Sequence, residues 1–181
     1  MLADLLTSVP GFGRIEARAE GQWLTPELFD GQHRWNPDAP ANLEQVKAIW
    51  LEAAEARAKD ASVIVEKSPP NLCRMRRLME AFSDTPHSLV LLTRHPLALC
   101  ASWARRYSPE VIQANWLPKD EDEFPDPAAY FRRLGKICGE RYEMLEVLRD
   151  ASDLRITYED LVRDPVSAVR AVTGLFGEAG L

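Results

Sequence analysis

Residues Val63 to Trp103 read VIVEKSPPNLCRMRRLMEAFSDTPHSLVLLTRHPLALCASW, and this stretch decides the fold. Ser62 to Val65 is a short β-branched run, the pattern of a buried parallel strand. Pro69-Pro70 then breaks the chain, and Pro70 can open a helix that runs to about Phe82 and carries Arg74, Arg76 and Arg77. Ser88 to Thr93 is a second strand, with Leu89 to Leu92 its most hydrophobic run, and passes straight into Arg94. Pro96 begins the next helix, to about Arg106, with Ser102 eight residues beyond Arg94. Strand, loop, helix, strand, loop, helix is an α/β pattern, and in open α/β sheets ligands sit outside the carboxyl ends of the strands. Arg94 offers a planar fork of donors there and Ser102 adds a hydroxyl, which together suit a phosphate. The plainer alternative is a surface Arg at a strand end and an ordinary helical Ser.

Working outward, Met1 to Ser8 reads as the end of a helix, stopped by Pro10-Gly11, and Phe12 to Ala17 as a short strand. Gly21 to Pro40 is rich in Pro, Gly and Asp but holds Trp23, Phe29 and Trp35, so it is expected to be a long ordered excursion. Those aromatics, with His33, either line an acceptor pocket or pack the excursion itself. Leu43 to Lys59 has helical periodicity, with Leu43, Val46, Ile49 and Trp50 on one face. Pro118 to Pro127 is an acidic loop, Ala128 to Arg149 a long amphipathic helix, Leu154 to Tyr158 a third firm strand, and Pro165 to Phe176 a final helix. Asp164 is placed to cap that last helix. The expectation is one α/β domain over residues 1–181, a three-layer arrangement of a parallel sheet flanked by helices. Three firm strands are few for such a sheet.

The formal charge of −6 argues against a broad nucleic-acid face, while leaving room for a few placed cations. No apolar run is long enough to span a membrane. The cysteines Cys73, Cys100 and Cys138 cannot all pair and form no metal-like cluster, which fits a reducing cytoplasm and no metal.

Other residues carry chemistry. Lys67 ends the first strand and can reach a phosphate or sulfate oxygen; Asn71 could orient a ligand. A tight turn with Glu66 and Lys67 paired in solvent explains the same letters. Glu16 and Glu20 follow the short N-terminal strand, and a carboxylate there could take a proton from an acceptor hydroxyl. His95 beside Arg94 reads as structural, and His87 as a turn residue. No GxSxG elbow, metal motif or GxxxxGK[ST] loop supports a hydrolase or a kinase-like phosphotransferase.

Together, EKSPPN at Glu66–Asn71, LLTRHPLALCASW at Leu91–Trp103 and ITYEDLVRDPVSAVRAVTGLFG at Ile156–Gly177 resemble the sulfotransferase family, in order and spacing as well as wording. The likeness is to its broad bacterial and carbohydrate-type branch. The resemblance implies a P-loop-NTPase-like α/β fold and the donor 3′-phosphoadenosine 5′-phosphosulfate. It implies that Arg94 and Ser102 hold the donor's 3′-phosphate and that Lys67 sits near the donor–acceptor junction. The base would be a Glu or His after the first helix, and Glu16 matches that region best. The acceptor would be a small molecule or carbohydrate bearing a hydroxyl or amine. The family also carries a first strand and an RSGTT- or PKSGTT-like loop, which cradles the 5′-phosphosulfate. No such loop occurs in these residues, and Met1–Gly11 looks like the helix that follows it. The chain is therefore expected to begin one strand and one loop late, to stop short after Gly177, to transfer weakly, and to self-associate through an uncovered strand edge. A non-catalytic relative that binds a nucleotide or a partner is the alternative.

Overall fold

The computed structural model describes residues 1–25, 34–57, 60–116 and 126–180. Its elements are helix α1 (Leu2–Leu6), strand β1 (Phe12–Arg14), a 3-10 turn (Gly21–Trp23), α2 (Leu43–Arg57), β2 (Val63–Val65), a 3-10 helix (Pro69–Arg74), α3 (Met75–Ala81) and β3 (Val90–Thr93). Then come α4 (Pro96–Arg106), α5 (Pro109–Trp116), α6 (Pro127–Val147), β4 (Leu154–Thr157), α7 (Tyr158–Arg163) and α8 (Pro165–Thr173), with a closing 3-10 segment to Gly180.

Both strand pairs are parallel. β1 pairs β2 with Phe12 opposite Val63, and β3 pairs β4 with Thr93 opposite Thr157. The strand period of two sends Val63 and Val65 to one face and Ile64 to the other. On the first face, Leu6, Phe12, Ile156, Leu161, Ala168 and Val172 form a core that Val63, Val65, Val90 and Leu154 join, so all four strands meet under α1 and α8. On the other face, Ile15, Val46, Trp50 and Leu78 pack with Ile64 under α2 and α3. Leu89, Leu91 and Leu148 pack there with Met75, Met79 and Leu145. Helices on both faces of parallel strands are the three-layer α/β arrangement.

The expected single sheet is two. Among the described residues the hydrogen-bonded order is β1-β2 and β3-β4, with no ladder between β2 and β3. Apolar burial unites the four strands, while the backbone pairing is interrupted between the pairs.

Helix starts follow local chemistry. Pro96, Pro127 and Pro165 stand in the first turns of α4, α6 and α8, where a missing N–H costs nothing. Asp126 accepts from the Ala129 amide at 2.6 Å, and Asp164 caps α8 by accepting from the Ser167 amide at 3.0 Å. The helix expected from Pro70 to Phe82 is instead a 3-10 helix followed by a short α-helix. Tandem prolines supply no amide donors there, and Arg74 is buried, bonding the carbonyls of Arg34 and Asn36. α5 has no counterpart in the sequence reading. Most of the acidic loop, together with Phe29 and His33, lies outside the described residues. No helix among the described residues is long and apolar enough to cross a membrane.

Candidate active site

Two clusters follow the carboxyl ends of β2 and β3. At β3 the chain passes from Thr93 into Arg94. Because β3 and β4 are in register, Arg94 emerges beside Tyr158, and its guanidinium lies 4.5 Å from the centre of that ring. The His95 amide donates to Glu159 Oε1 at 3.0 Å, so the turn is held from α7. Arg94 Nε is buried without a hydrogen-bond partner.

α4 starts immediately after this turn. Ala98, Ser102 and Arg105 lie one helical turn apart on a single face. With Arg94 they line a cavity of about 140 Å³. The structure therefore brings together the two residues singled out as a phosphate grip. It adds Arg105, which the sequence reading did not single out. The signal was present: Arg105 is three residues beyond Ser102, the spacing of helical neighbours. Arg106 instead stacks its guanidinium 5.5 Å from the Tyr107 ring centre. The first-turn amides of α4 at Leu97 and Ala98 have no acceptor inside the helix and add to the positive potential of the cavity.

At β2 the arrangement differs. Glu66 is not paired with Lys67 in solvent. It is half-buried, accepting from the Gly21 amide at 3.0 Å, the Ser68 hydroxyl at 2.5 Å and Asn71 Nδ2 at 3.0 Å. Burial pushes its carboxyl above the ordinary range, and these donors pull it part of the way back. Ser68 Oγ also accepts from the Gln22 amide at 3.1 Å. The backbone at Gly21 and Gln22 is thereby clamped to the end of β2. Gly21 must be glycine, since a Cβ would come within 2.5 Å of Trp50 Cε2, whose indole N–H donates to the Gly21 carbonyl at 3.0 Å.

The clamp delivers Glu20 to Lys67. The two form an ion pair, and Gln22 Nε2 and Trp23 Nε1 donate to the same carboxylate at 2.5 and 3.2 Å. Burial raises the Glu20 carboxyl, but the Lys67 hydrogen bond and charge with these two donors outweigh it and hold the group below its ordinary value. Glu16 lies elsewhere: its carboxylate turns back to accept from the Arg18 amide at 2.8 Å. Of the two carboxylates after β1, the structure places Glu20, not Glu16, on Lys67.

The aromatics divide as well. Trp23 is exposed beside Glu20. Trp35 is packed, with the Arg141 guanidinium 3.6 Å from its ring centre and 4.8 and 4.4 Å from those of Trp103 and Trp116. Burial in this clasp lowers Arg141 to about 10. His87, expected in a turn, follows the turn that ends at Asp84, and its Nδ1 lies 2.9 Å from the Thr85 carbonyl.

Comparison with known families matches the model described as the sulfotransferase family over residues 5–179. Comparisons with curated proteins and with solved structures found no match. The family's P-loop-like α/β fold agrees with parallel strands flanked by helices, and the match takes in both clusters. The chain belongs to the sulfotransferase family.

Proposed function

We propose that the chain uses 3′-phosphoadenosine 5′-phosphosulfate as donor and passes its sulfuryl group to a hydroxyl or amine of a small-molecule or carbohydrate acceptor. The observation that carries this reading is the cavity at the end of β3, where Arg94 and Ser102 face one anion-sized space. There they bind the donor's 3′-phosphate. At the end of β2, Lys67 faces the reacting end of the donor and Glu20 faces the acceptor. Trp23, exposed beside Glu20, offers a ring face to an acceptor sugar or aromatic.

The step is an in-line displacement. A bond forms from the acceptor oxygen or nitrogen to sulfur as the bond from sulfur to the donor's bridging phosphate oxygen breaks. The electron pair leaves on that oxygen, where the Lys67 ammonium stabilises it. The acceptor proton passes to the Glu20 carboxylate, which is ionised at neutral pH because its titration is held low. The products are the sulfated acceptor and adenosine 3′,5′-bisphosphate. We assign the base role to Glu20 over Glu16 on the Lys67 contact.

These residues contain no RSGTT-like loop, so the transfer expected of them is slow; one missing oxyanion-type donor costs on the order of 100-fold or more. Incubation with radiolabelled donor tests the reading. Slow release of label to water or to added carbohydrates and phenols, abolished in Lys67→Ala, supports it. Indistinguishable rates for the wild type and Lys67→Ala contradict it.

A further inference from the structure

We infer that Gln22 is a positioning residue for the transfer: with Trp23 it occupies Glu20 Oε2, so that the acceptor's proton is received on Oε1, the oxygen that also meets Lys67. This rests on the reading of Glu20 as the base.

The side-chain amide of Gln22 can face only one way. Gln22 is 1 % exposed, and its backbone amide is pinned to Ser68 Oγ at 3.1 Å. Its side chain lies between Arg34 and Glu20. A guanidinium only donates, so Arg34 Nη2, at 3.2 Å, must meet the amide oxygen. Nε2 is then the end left for Glu20, and it donates to Oε2 at 2.5 Å. A cation on one side thus locks a donor onto the carboxylate on the other.

Lone pairs assign the two oxygens. An ionised carboxylate offers about two acceptor sites on each oxygen. On Oε2 both are taken, by Gln22 Nε2 and by Trp23 Nε1 at 3.2 Å. Among the described residues Oε1 accepts from Lys67 alone, which leaves a site for the acceptor hydroxyl or amine. Proton transfer and Lys67 are thereby coupled. The acceptor's lone pair forms the bond to sulfur. Its proton passes to Oε1, and the electron pair of the broken O–H or N–H bond stays on the acceptor atom. The bond from sulfur to the bridging phosphate oxygen breaks, with its pair on that oxygen. Protonating Oε1 loosens the ion pair as this charge develops, and Lys67, which is half exposed, is released to meet it.

The pH dependence of transfer from radiolabelled donor by the 181-residue chain tests the role of Gln22. The charges around Glu20 among the described residues are Lys67 after β2, Arg34 beyond Gln22 and Arg18 on the Trp23 ring, and the substitutions leave all three in place. Gln22→Met keeps the length and removes the donor; Gln22→Glu keeps the shape and adds a like charge. Wild-type transfer should fall in acid as Glu20 takes up a proton. Each variant should move that acid limb to higher pH, because the ionised carboxylate loses a donor. Each should also lower kcat at neutral pH about 10-fold, with the donor KM within about 2-fold of the wild type. A carbon-13 NMR titration of the Glu20 carboxyl should show the same upward displacement without turnover. A limb or a carboxyl titration that stays in place would make Gln22 a packing residue and overturn the inference, whatever happens to kcat. If Gln22→Met fails to fold, Gln22→Glu, which keeps the contact with Arg34, decides the matter. If Lys67→Ala transfers as fast as the wild type, the underlying reading falls and this inference with it.

Discussion

At the end of β2 the charges have protein partners: Lys67 pairs with Glu20, and Glu66 accepts from Gly21, Ser68 and Asn71. At the end of β3, Arg94 and Arg105 line a cavity and make no ion pair among the described residues, although the Glu159 carboxylate on the His95 amide lies close enough for its charge to act on Arg94. One end is a satisfied network that holds the backbone in place. The other is a pair of cations that an anion completes. Substitutions at the first should therefore register as stability, and at the second as affinity.

The largest stability effect is expected at Glu66. Glu66→Ala strands three donors, the Gly21 amide, the Ser68 hydroxyl and the Asn71 amide, all on buried residues, at about 1–3 kcal/mol for each group left unsatisfied. A net loss of about 3 kcal/mol lowers Tm by roughly 6–12 °C for a chain of this size. Arg94→Ala, Ser102→Ala and Arg105→Ala should each leave Tm within about 2 °C, measured in the same melts. An equal drop at both ends would erase the distinction.

Gly21→Ala comes next. Its methyl would meet the Trp50 indole, which is buried and cannot swing away, at an overpacking cost of about 1–3 kcal/mol. Denaturant midpoints would show the shift, and an unchanged midpoint would mean that the clamp gives way easily.

The pH dependence sharpens the comparison further. The Glu66 carboxyl titrates above its unfolded value, so its contribution favours the fold below the unfolded carboxylate pKa and is lost as pH rises through the folded value. Glu66→Gln is neutral throughout and should remove this slope, gaining on the wild type as pH rises from about 4 to 8. Asn71 Oδ1 has no partner, so an amide flip would let Asn71 accept from the new Gln Nε2. Parallel Tm–pH curves for the two proteins would contradict the assignment. Glu20 has the opposite sign, with stability present above its unfolded pKa and lost as pH falls. Its effect is the smallest: Lys67 is half exposed, and Glu20→Gln should cost no more than about 1 kcal/mol.

The same contrast shows what the letters reveal. Arg94 and Ser102 were legible because strand ends and helix periodicity are local, and the turn between them is short. The α/β class was legible for the same reason, from β-branched runs alternating with periodic segments. The role of Glu66 was left open between a solvent pair with Lys67 and a site because its donors depend on Gly21 and Trp50, far away in the chain. The resemblance favoured Glu16 over Glu20, and sequence could not show otherwise, since the turn after Arg14 decides which one faces Lys67. That turn includes Ala19, at the positive φ of 56° that few side chains adopt. The interruption between β2 and β3 was equally hidden, because short apolar strands announce burial but not partners.

The most direct test of the account is a calorimetric titration of the 181-residue chain and its Arg94→Ala variant with adenosine 3′,5′-bisphosphate. We expect saturable one-to-one binding by the wild type, and a loss of about 100-fold or more in the variant with its melting temperature unchanged. Equal binding by both proteins, or none by the wild type, would contradict the claim that the end of β3 holds the donor's phosphate.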